Sequence, residues 1–167
     1  MDARVQQRLE ALLERSSDPN NPSPQELVDI LRVMDRVAVV GISRDPAKAA
    51  RRVPAFLSAR GATIIPVNPF ADRIFGRPAY ASLDDVTETV DLVLIFRPSR
   101  DTPPIVRAAS DRPERPIIWL QEGIVAGEAA EEAREEGIIV VQDLCIYKVF
   151  RASESEVRQT AAPPGLA

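Results

Sequence analysis

The sequence predicts an α/β protein in which helices cover both faces of a doubly wound, mostly parallel sheet. Five short segments are rich in Val and Ile and run apolar without alternation, as strands do when both of their faces are covered. Helix-like segments separate these strands, and such repetition of strand and helix favours parallel pairing. The 167 residues suffice for one domain that buries most of a single core.

Two helix-like segments precede the first predicted strand. The first, residues 3–15, carries four apolar residues at helical spacing, namely Val5, Leu9, Leu12 and Leu13. It predicts an amphipathic helix that packs either on its own domain or on a second subunit. The loop "SSDPNNPSP" follows, and Ser23 as N-cap with Pro24 in the first turn begins a second helix that ends near Met34.

Predicted strands and helices then alternate along the chain. The strands are "VAVVG" (37–41), "TIIPVN" (63–68), "DLVLIF" (91–96), "PIIWLQ" (116–121) and "IIVVQD" (138–143). The helices between them are predicted at residues 51–60, 82–87, 102–110 and 126–136. The segment "RPAYA" near Ala79 adds a possible short edge strand, which gives a Rossmann-like sheet of order 3-2-1-4-5-6. In that order "VAVVG" and "DLVLIF" end side by side at a topological switch point, where such sheets bind their ligands.

The composition excludes several classes of site. The chain has no histidine, so it can form no Ser-His catalytic pair, no imidazole zinc site and no phosphohistidine. A single cysteine, Cys145, excludes an internal disulfide and a Cys-rich metal site. A net charge of −4 argues against a nucleic-acid partner. Because neither a run of about 18 apolar residues nor a secretory apolar region occurs, we expect a cytoplasmic protein without a membrane partner.

Positive charge is concentrated after the first predicted strand. Between residues 43 and 60 the only acidic residue is Asp45, and the cations are Arg44, Lys48, Arg51, Arg52 and Arg60. Cations at a helix start oppose the helix dipole by about 0.3–1 kcal/mol each unless an anion offsets them. Gly41 ends the strand, and backbone N–H groups at the following helix N-terminus attract phosphate. We interpret this loop as a phosphate site, with a solvated basic face as the alternative.

The loop does not carry the fingerprint of a dinucleotide site. The pattern G-x-G-x-x-G needs three glycines, and Gly41 is the only glycine in this loop. The second strand ends in Asn68 and Pro69, where an NAD site would place an acid on the ribose hydroxyls. An adenine nucleotide with more phosphate charge than NAD therefore fits the loop better.

Several motifs in order carry a family resemblance. They are "VAVVGISRDPAKAARRVPAFLSARGATIIPVNP" (37–69), "DLVLIFRPS" (91–99), "WLQEGI" (119–124) and "QDLCI" (142–146). As a set they resemble the small stand-alone CoA-binding proteins, which are related to the CoA-binding Rossmann domain of the succinyl-CoA synthetase α subunit. The resemblance covers residues 23–151. Residues 1–22 are then an N-terminal helix and loop, and residues 152–167 a tail that we expect to be mobile.

The resemblance implies which residues bind the cofactor coenzyme A. The phosphates are assigned to the first loop, through Gly41, Ser43 and Lys48, with Ile42, Arg44 and Arg52 beside them. The adenosine is bordered by Val67, Asn68 and Pro69. The neighbouring strand flanks the nucleotide with Phe96, Arg97 and Pro98. The rim towards the pantetheine arm is assigned to Gln121, Gly123 and Ile124.

The resemblance implies a protein that binds CoA or an acyl-CoA as a non-catalytic carrier, sensor or regulatory module, either monomeric or homodimeric. No pair of a general acid and a general base stands out as an active site. Two alternatives stay open. One is a subunit or relic of an acyl-CoA synthetase-type enzyme, although such a ligase needs a phosphohistidine. The other is an NAD(P)-binding regulator or oxidoreductase, which the fold permits.

Three further residues each have two interpretations. Cys145 follows the last strand, where its thiol either meets the CoA sulfur or packs as an inert apolar side chain. Trp119 is interpreted as a core residue, with ligand contact as the alternative. Arg97 is interpreted either as a ligand contact or as the ion-pair partner of a carboxylate such as Asp143.

Overall fold

A computed structural model describes residues 1–158 and confirms the doubly wound α/β fold. The strands of this part of the chain are β1 Arg36–Val40, β2 Thr63–Val67, β3 Arg73–Ile74, β4 Arg77–Pro78, β5 Leu92–Ile95, β6 Ile117–Leu120 and β7 Val140–Val141. Five of them form a sheet in the order β2-β1-β5-β6-β7. All of its neighbouring strands are parallel.

Helices cover both faces of this sheet. They are α1 Ala3–Arg15, α2 Pro24–Val33, α3 Ala49–Ala59, α4 Thr102–Ser110, α5 Glu128–Glu135 and α6 Ile146–Arg158. On one face α1, α2, α3 and α6 pack against Val37 and Val39 of β1. On the other face α4 and α5 pack against Ala38 and Val40 of the same strand. Successive side chains of a strand point to opposite faces, so a continuous apolar run buries both. Among residues 1–158 no helix combines the length and apolarity that crossing a bilayer requires.

The predicted edge strand "RPAYA" is wrong in its extent. β4 pairs with β3 in a small antiparallel hairpin, and Tyr80 alone makes a single parallel bridge, to Val67 of β2. The chain reverses at Phe75 and Gly76, whose φ angles are 55° and 70°. Pro78 has no N–H to donate to a ladder. The sheet therefore lacks a full sixth strand, and the predicted helix over residues 82–87 shrinks to a 3-10 turn at Leu83–Asp85.

The predicted mobile tail is wrong for residues 152–158, because α6 continues to Arg158. Polar contacts hold the second half of α6 against the rest of the domain. Glu156 accepts a hydrogen bond from the Asp2 N–H at 2.9 Å, and its carbonyl accepts one from Arg32 Nη2 at 2.8 Å. Glu154 forms an ion pair with Arg60, the residue that follows α3. Arg60 Nε and Glu154 Oε1 are 2.9 Å apart. The rest of the predicted tail, residues 159–167, lies outside the described residues.

The segment between α1 and α2 closes the edge of the sheet at β7. The side chain of Asn21 acts as a strand would: its Oδ1 accepts from the Gln142 N–H at 2.8 Å, and its Nδ2 donates to the Gln142 carbonyl at 2.9 Å. Ser16 Oγ donates to the same carbonyl at 2.9 Å. These bonds satisfy backbone groups that an open edge would leave unpaired. Helix α1 itself packs on its own domain, where Val5 and Leu9 are buried.

A buried carboxylate fastens this segment to the sheet. Asp18 Oδ2 accepts hydrogen bonds from Arg134 Nη2 of α5 at 2.8 Å and from Gln142 Nε2 at 2.9 Å. Burial raises the pKa of the Asp18 carboxyl, but the hydrogen bonds from Arg134 and Gln142 outweigh it and hold the pKa below its usual value. The ionised form of Asp18 therefore stabilises the fold.

We expect Asp18→Asn to lower the free energy of unfolding by about 1–3 kcal/mol at neutral pH, because Arg134 loses its charged partner. A carboxyl with a depressed folded-state pKa stabilises above its unfolded pKa, and that contribution is lost as the pH falls through the folded pKa. The difference between variant and wild type should therefore shrink as the pH falls below the usual pKa range of an aspartate carboxyl. Denaturant unfolding at neutral and at acidic pH measures it, with the exposed Asp111→Asn as control. A difference that does not change with pH would contradict this role.

Candidate functional site

A cavity opens at the carboxyl end of the two central strands. β1 and β5 are neighbours in the sheet, yet β1 leads to α3 on one face and β5 leads to α4 on the other. This is the topological switch point at which open α/β sheets bind ligands. The cavity has a volume of about 500 Å³. Among its lining residues are five that the sequence predicted as binding residues, namely Gly41, Val67, Asn68, Pro69 and Arg97.

The floor of the cavity depends on Gly41. Its φ is +87°, and a Cβ at this position would lie 2.5 Å from the Phe96 carbonyl oxygen. The Gly41 N–H donates to the Val67 carbonyl at 3.1 Å, and the Phe96 N–H donates to the Val40 carbonyl at 2.9 Å. The ends of β1, β2 and β5 are thereby drawn together. The backbones of these strand ends therefore meet with no side chain between them, at the edge of the sheet where the cavity opens. We call this edge the ligand edge.

Asn68 fixes the loop after β2 against the loop after β1. Its Nδ2 donates to the Ile42 carbonyl at 2.8 Å, and its Oδ1 accepts from the Phe70 N–H at 2.7 Å. Its backbone N–H donates to the Tyr80 carbonyl at 2.8 Å. Both polar atoms of the amide are thus used within the protein. Asn68 borders the cavity and shapes it.

The loop from Ile42 to Lys48 is ordered by its own polar groups. Ser43 Oγ accepts from the Asp45 N–H at 3.0 Å, and Asp45 Oδ1 accepts from the Ala47 N–H at 2.9 Å. The Ser43 N–H donates to the Ala50 carbonyl at 3.1 Å. That carbonyl is available because Pro54, four residues further along α3, has no N–H to offer it. The one acidic residue of the loop therefore holds backbone turns and pairs with none of the cations.

Three cations beside this loop have no internal partner. Arg44, Lys48 and Arg52 are exposed, and their side chains form no hydrogen bond or ion pair within residues 1–158. Lys48 is the N-cap residue of α3 and provides no side-chain capping bond. The three free cations and the N-terminus of α3 therefore belong to one segment, which follows β1 at Gly41.

The two other basic residues of the cluster are engaged elsewhere. The Arg51 guanidinium stacks on the Phe75 ring of the β3-β4 hairpin, 3.7 Å from its centroid. Arg60 lies at the far end of α3, over the Phe56 ring, and pairs with Glu154. These two contacts are structural.

Arg97 lies against the cavity, and its Cδ would be 3.1 Å from a Cβ on Gly41. Its guanidinium pairs with Asp101, with 2.9 Å between Nη2 and Oδ2. The predicted ion pair of Arg97 with a carboxylate is therefore present, but its partner is Asp101 and not Asp143, which accepts from the Ser17 and Gly123 N–H groups. Burial raises the pKa of Asp143, and these N–H donors hold it below its usual value.

The predicted residues near β6 do not line this cavity. Gln121 is buried, and its Oε1 accepts from the Ile146 N–H at 2.8 Å, which caps the start of α6. Gly123 is tied to Asp143, and the Ile124 N–H donates to the Gln121 carbonyl at 2.9 Å. They form a turn that supports α6.

The remaining predicted residues also lie outside the cavity lining, and these include Ile42, Ser43, Arg44, Lys48 and Arg52 of the first loop. Phe96 packs against the core on the α3 face, and Pro98 precedes a 3-10 turn at Ser99–Asp101. Trp119 is fully buried and donates to the Leu144 carbonyl at 2.7 Å, which confirms it as a core residue. The Cys145 Sγ lies 3.6 Å from Gln121 Nε2. Cys145 and Lys148 line a separate small pocket.

The structure adds residues that sequence reasoning missed. They are Phe70 on the loop after β2, Leu83 and Asp84 on the 3-10 turn, and Ile105 and Ala108 on α4. Phe70 had a visible signal, because it is an aromatic residue among the turn residues of "VNPFAD". The others reach the cavity only through tertiary packing.

Comparison with known proteins identifies the family. Residues 35–151 match the CoA binding domain family. The uncharacterized protein YneT of Bacillus subtilis (strain 168) is 36% identical over 126 residues, which are 75% of this chain and 93% of that protein. A solved structure from Thermus thermophilus is 36% identical with a TM-score of 0.70, and it covers 77% of this chain and 97% of its own. A hypothetical protein from Pyrococcus horikoshii OT3 is 26% identical with a TM-score of 0.74, and it covers 84% of this chain and 96% of its own. The chain described here is therefore a member of the CoA binding domain family.

Proposed function

We propose that this protein binds coenzyme A or an acyl-CoA and acts as a non-catalytic carrier, sensor or regulatory module. The observation that carries the proposal is the set of three unpartnered cations, Arg44, Lys48 and Arg52, on the segment that runs from Gly41 of the switch-point cavity into the uncapped start of α3. Membership in the CoA binding domain family supports the choice of ligand. In this proposal the phosphates lie along the loop from Ile42 to Arg52, and the nucleoside enters the cavity.

The charge of the site favours CoA over NAD. CoA carries a 3′-phosphate in addition to its diphosphate, so it offers more negative charge to three free cations. An NAD site also needs an acid at the end of the second strand. Here that position holds Asn68, and both polar atoms of its amide are bonded within the protein.

A binding role fits the residues better than a catalytic one. The synthetase-type alternative needs a phosphohistidine, and the chain has no histidine. Ser43 Oγ accepts from the Asp45 N–H and donates to no base within residues 1–158. The pantetheine arm would run along the edge towards Gln121, Gly123 and Ile124, whose turn lies beyond the cavity.

CoA should stabilise the protein against thermal unfolding more than NAD, NADPH or ATP does at matched concentration. A ligand at a hundredfold excess over its Kd adds about 2.7 kcal/mol. Dephospho-CoA, which lacks the 3′-phosphate, should give a smaller shift than CoA. A thermal-shift series measures this order directly. A larger shift with NADPH than with CoA would reject the ligand assignment.

Removing one free cation should weaken CoA binding. We expect Lys48→Ala and Arg52→Ala each to cost about 1–3 kcal/mol, the worth of a hydrogen bond to a charged group. Both side chains are exposed, so the unfolding midpoint without ligand should not change. Titration calorimetry measures the affinity, and Arg4→Ala on the exposed start of α1 is the control. Wild-type affinity in both loop variants would contradict the phosphate assignment.

Asp101 competes with the ligand for Arg97. Asp101→Asn should release the guanidinium and strengthen CoA binding by about 0.5–1 kcal/mol, the worth of a partly exposed ion pair. In an Arg97→Ala background the same substitution should bring no gain, which separates this effect from a general change in surface charge. Calorimetric titration of the four proteins completes the cycle. An equal gain in both backgrounds would show that Arg97 is not involved.

A further inference from the structure

We propose that the groove between α1 and α6 is a docking site for a helix of a partner protein, one that carries an apolar stripe bordered on both sides by Asp or Glu. The two helices pack against each other, and the groove between them has a volume of about 480 Å³. It shares no lining residue with the switch-point cavity. One of its two walls, α1, lies outside residues 35–151, the region that the family model matches. The site is therefore independent of the proposed CoA function.

Cations line both sides of this groove. Arg8 and Arg15 come from α1, and Lys148 and Arg151 come from α6. All four side chains are exposed, and no acidic residue lines the groove within residues 1–158. The whole chain has a net charge of −4, so this excess of positive charge is local. A groove lined by one sign of charge attracts groups of the opposite sign.

The protein itself neutralises few of these cations. Arg8 and Arg15 form no hydrogen bond or ion pair within residues 1–158. Lys148 Nζ donates to Glu122 Oε1 at 2.8 Å, which raises the pKa of the Lys148 ammonium, while the like charge of Arg15 opposes that increase. Two cations from different helices therefore repel each other in the groove. A partner that brings carboxylates would remove this repulsion.

Arg151 is also incompletely neutralised. Its Nη1 lies 3.6 Å from Glu154 Oε2. The same carboxylate pairs through Oε1 with Arg60 Nε at 2.9 Å and with Arg158 Nη2 at 2.6 Å. One carboxylate thus faces three guanidinium groups, and positive charge remains on this part of α6.

The rest of the lining suits the apolar stripe of a helix. It consists of Ala11 and Leu12 of α1 and Tyr147 and Ala152 of α6. Small side chains such as alanine let another helix approach closely, and an amphipathic helix in a groove is a recurring mode of peptide recognition. Helices α1 and α6 have 13 residues each. At 1.5 Å per residue they are about 20 Å long, so a partner helix of similar length can lie along both.

The same lining disfavours two other anionic partners. Leu12 and Ala152 are half-buried, and Leu12 lies between Arg8 and Arg15 along α1. These recessed side chains cannot insert into a bilayer. A nucleic acid offers phosphates but no apolar stripe, and the net charge of −4 opposes its approach. A helix with acidic borders satisfies the cations and the apolar lining together.

Three synthetic peptides of about 13 residues test the site on the full chain, each held helical by a lactam staple because short free helices are marginal. The first has a Leu stripe bordered by Glu. The second has the same stripe bordered by Lys, and the third keeps Glu but replaces the stripe by Gln. In fluorescence anisotropy titrations the first should bind at least about tenfold more tightly than either of the others, because charge pairs and apolar contact both contribute.

Charge reversal on α1 should weaken the first peptide. We expect Arg8→Glu combined with Arg15→Glu to reduce its affinity by about tenfold or more, since attraction becomes repulsion at two positions. Arg36→Glu, at an exposed cation that does not line the groove, is the control. The thermal shift caused by CoA should be the same in all three proteins. A wild type that binds the first peptide but not CoA would overturn the proposed function alone.

Several results would overturn the docking site while the proposed function stands. No binding of the first peptide, or wild-type affinity for it in the double variant, would reject the site. Equal affinity for the first and third peptides would show that charge alone explains the binding. A dimer of this chain that the double variant dissociates, or binding to phosphatidylserine vesicles that it abolishes, would assign the groove to a different occupant.

Discussion

The ligand edge of this molecule depends on the contact between the backbones of β1 and β5 at Gly41. A side chain at Gly41 would collide with the Phe96 carbonyl, at 2.5 Å. Because the two strands stay close there and then diverge to opposite faces, a cavity opens between their loops. The end of β2 joins the same junction, because Asn68, the residue after β2, donates from its side chain to the Ile42 carbonyl. The cationic loop, the cavity and the Phe70 turn all take their positions from this junction.

The central sheet could be predicted from sequence because its information is local. Each strand is an apolar run that buries both faces, and the helices between them follow from spacing and caps. The hairpin at Arg73–Pro78 and the end of α6 could not be predicted in this way. In α6, Glu156 is held by Asp2 and Arg32, which are distant in sequence. Short polar segments carry no local signal for such partners.

The candidate site shows the same division. Gly41, Asn68 and Arg97 were predictable because they end strands that meet at one edge. Leu83 and Ile105 were not, because they reach the cavity from a 3-10 turn and from α4 after tertiary packing. The residues from Gln121 to Ile124 were assigned to a ligand by resemblance. In the structure they first serve α6, through the Gln121 side chain.

The attachment of residues 16–21 to β7 has a consequence for what counts as the domain. The family match spans residues 35–151, yet the backbone of Gln142 obtains its edge partners from Asn21 and Ser16. The region matched by the family model and the folded unit of this chain therefore have different limits. In this chain the outer edge of the sheet is protected by residues 16–21, which lie outside the matched region and form an integral wall of the fold.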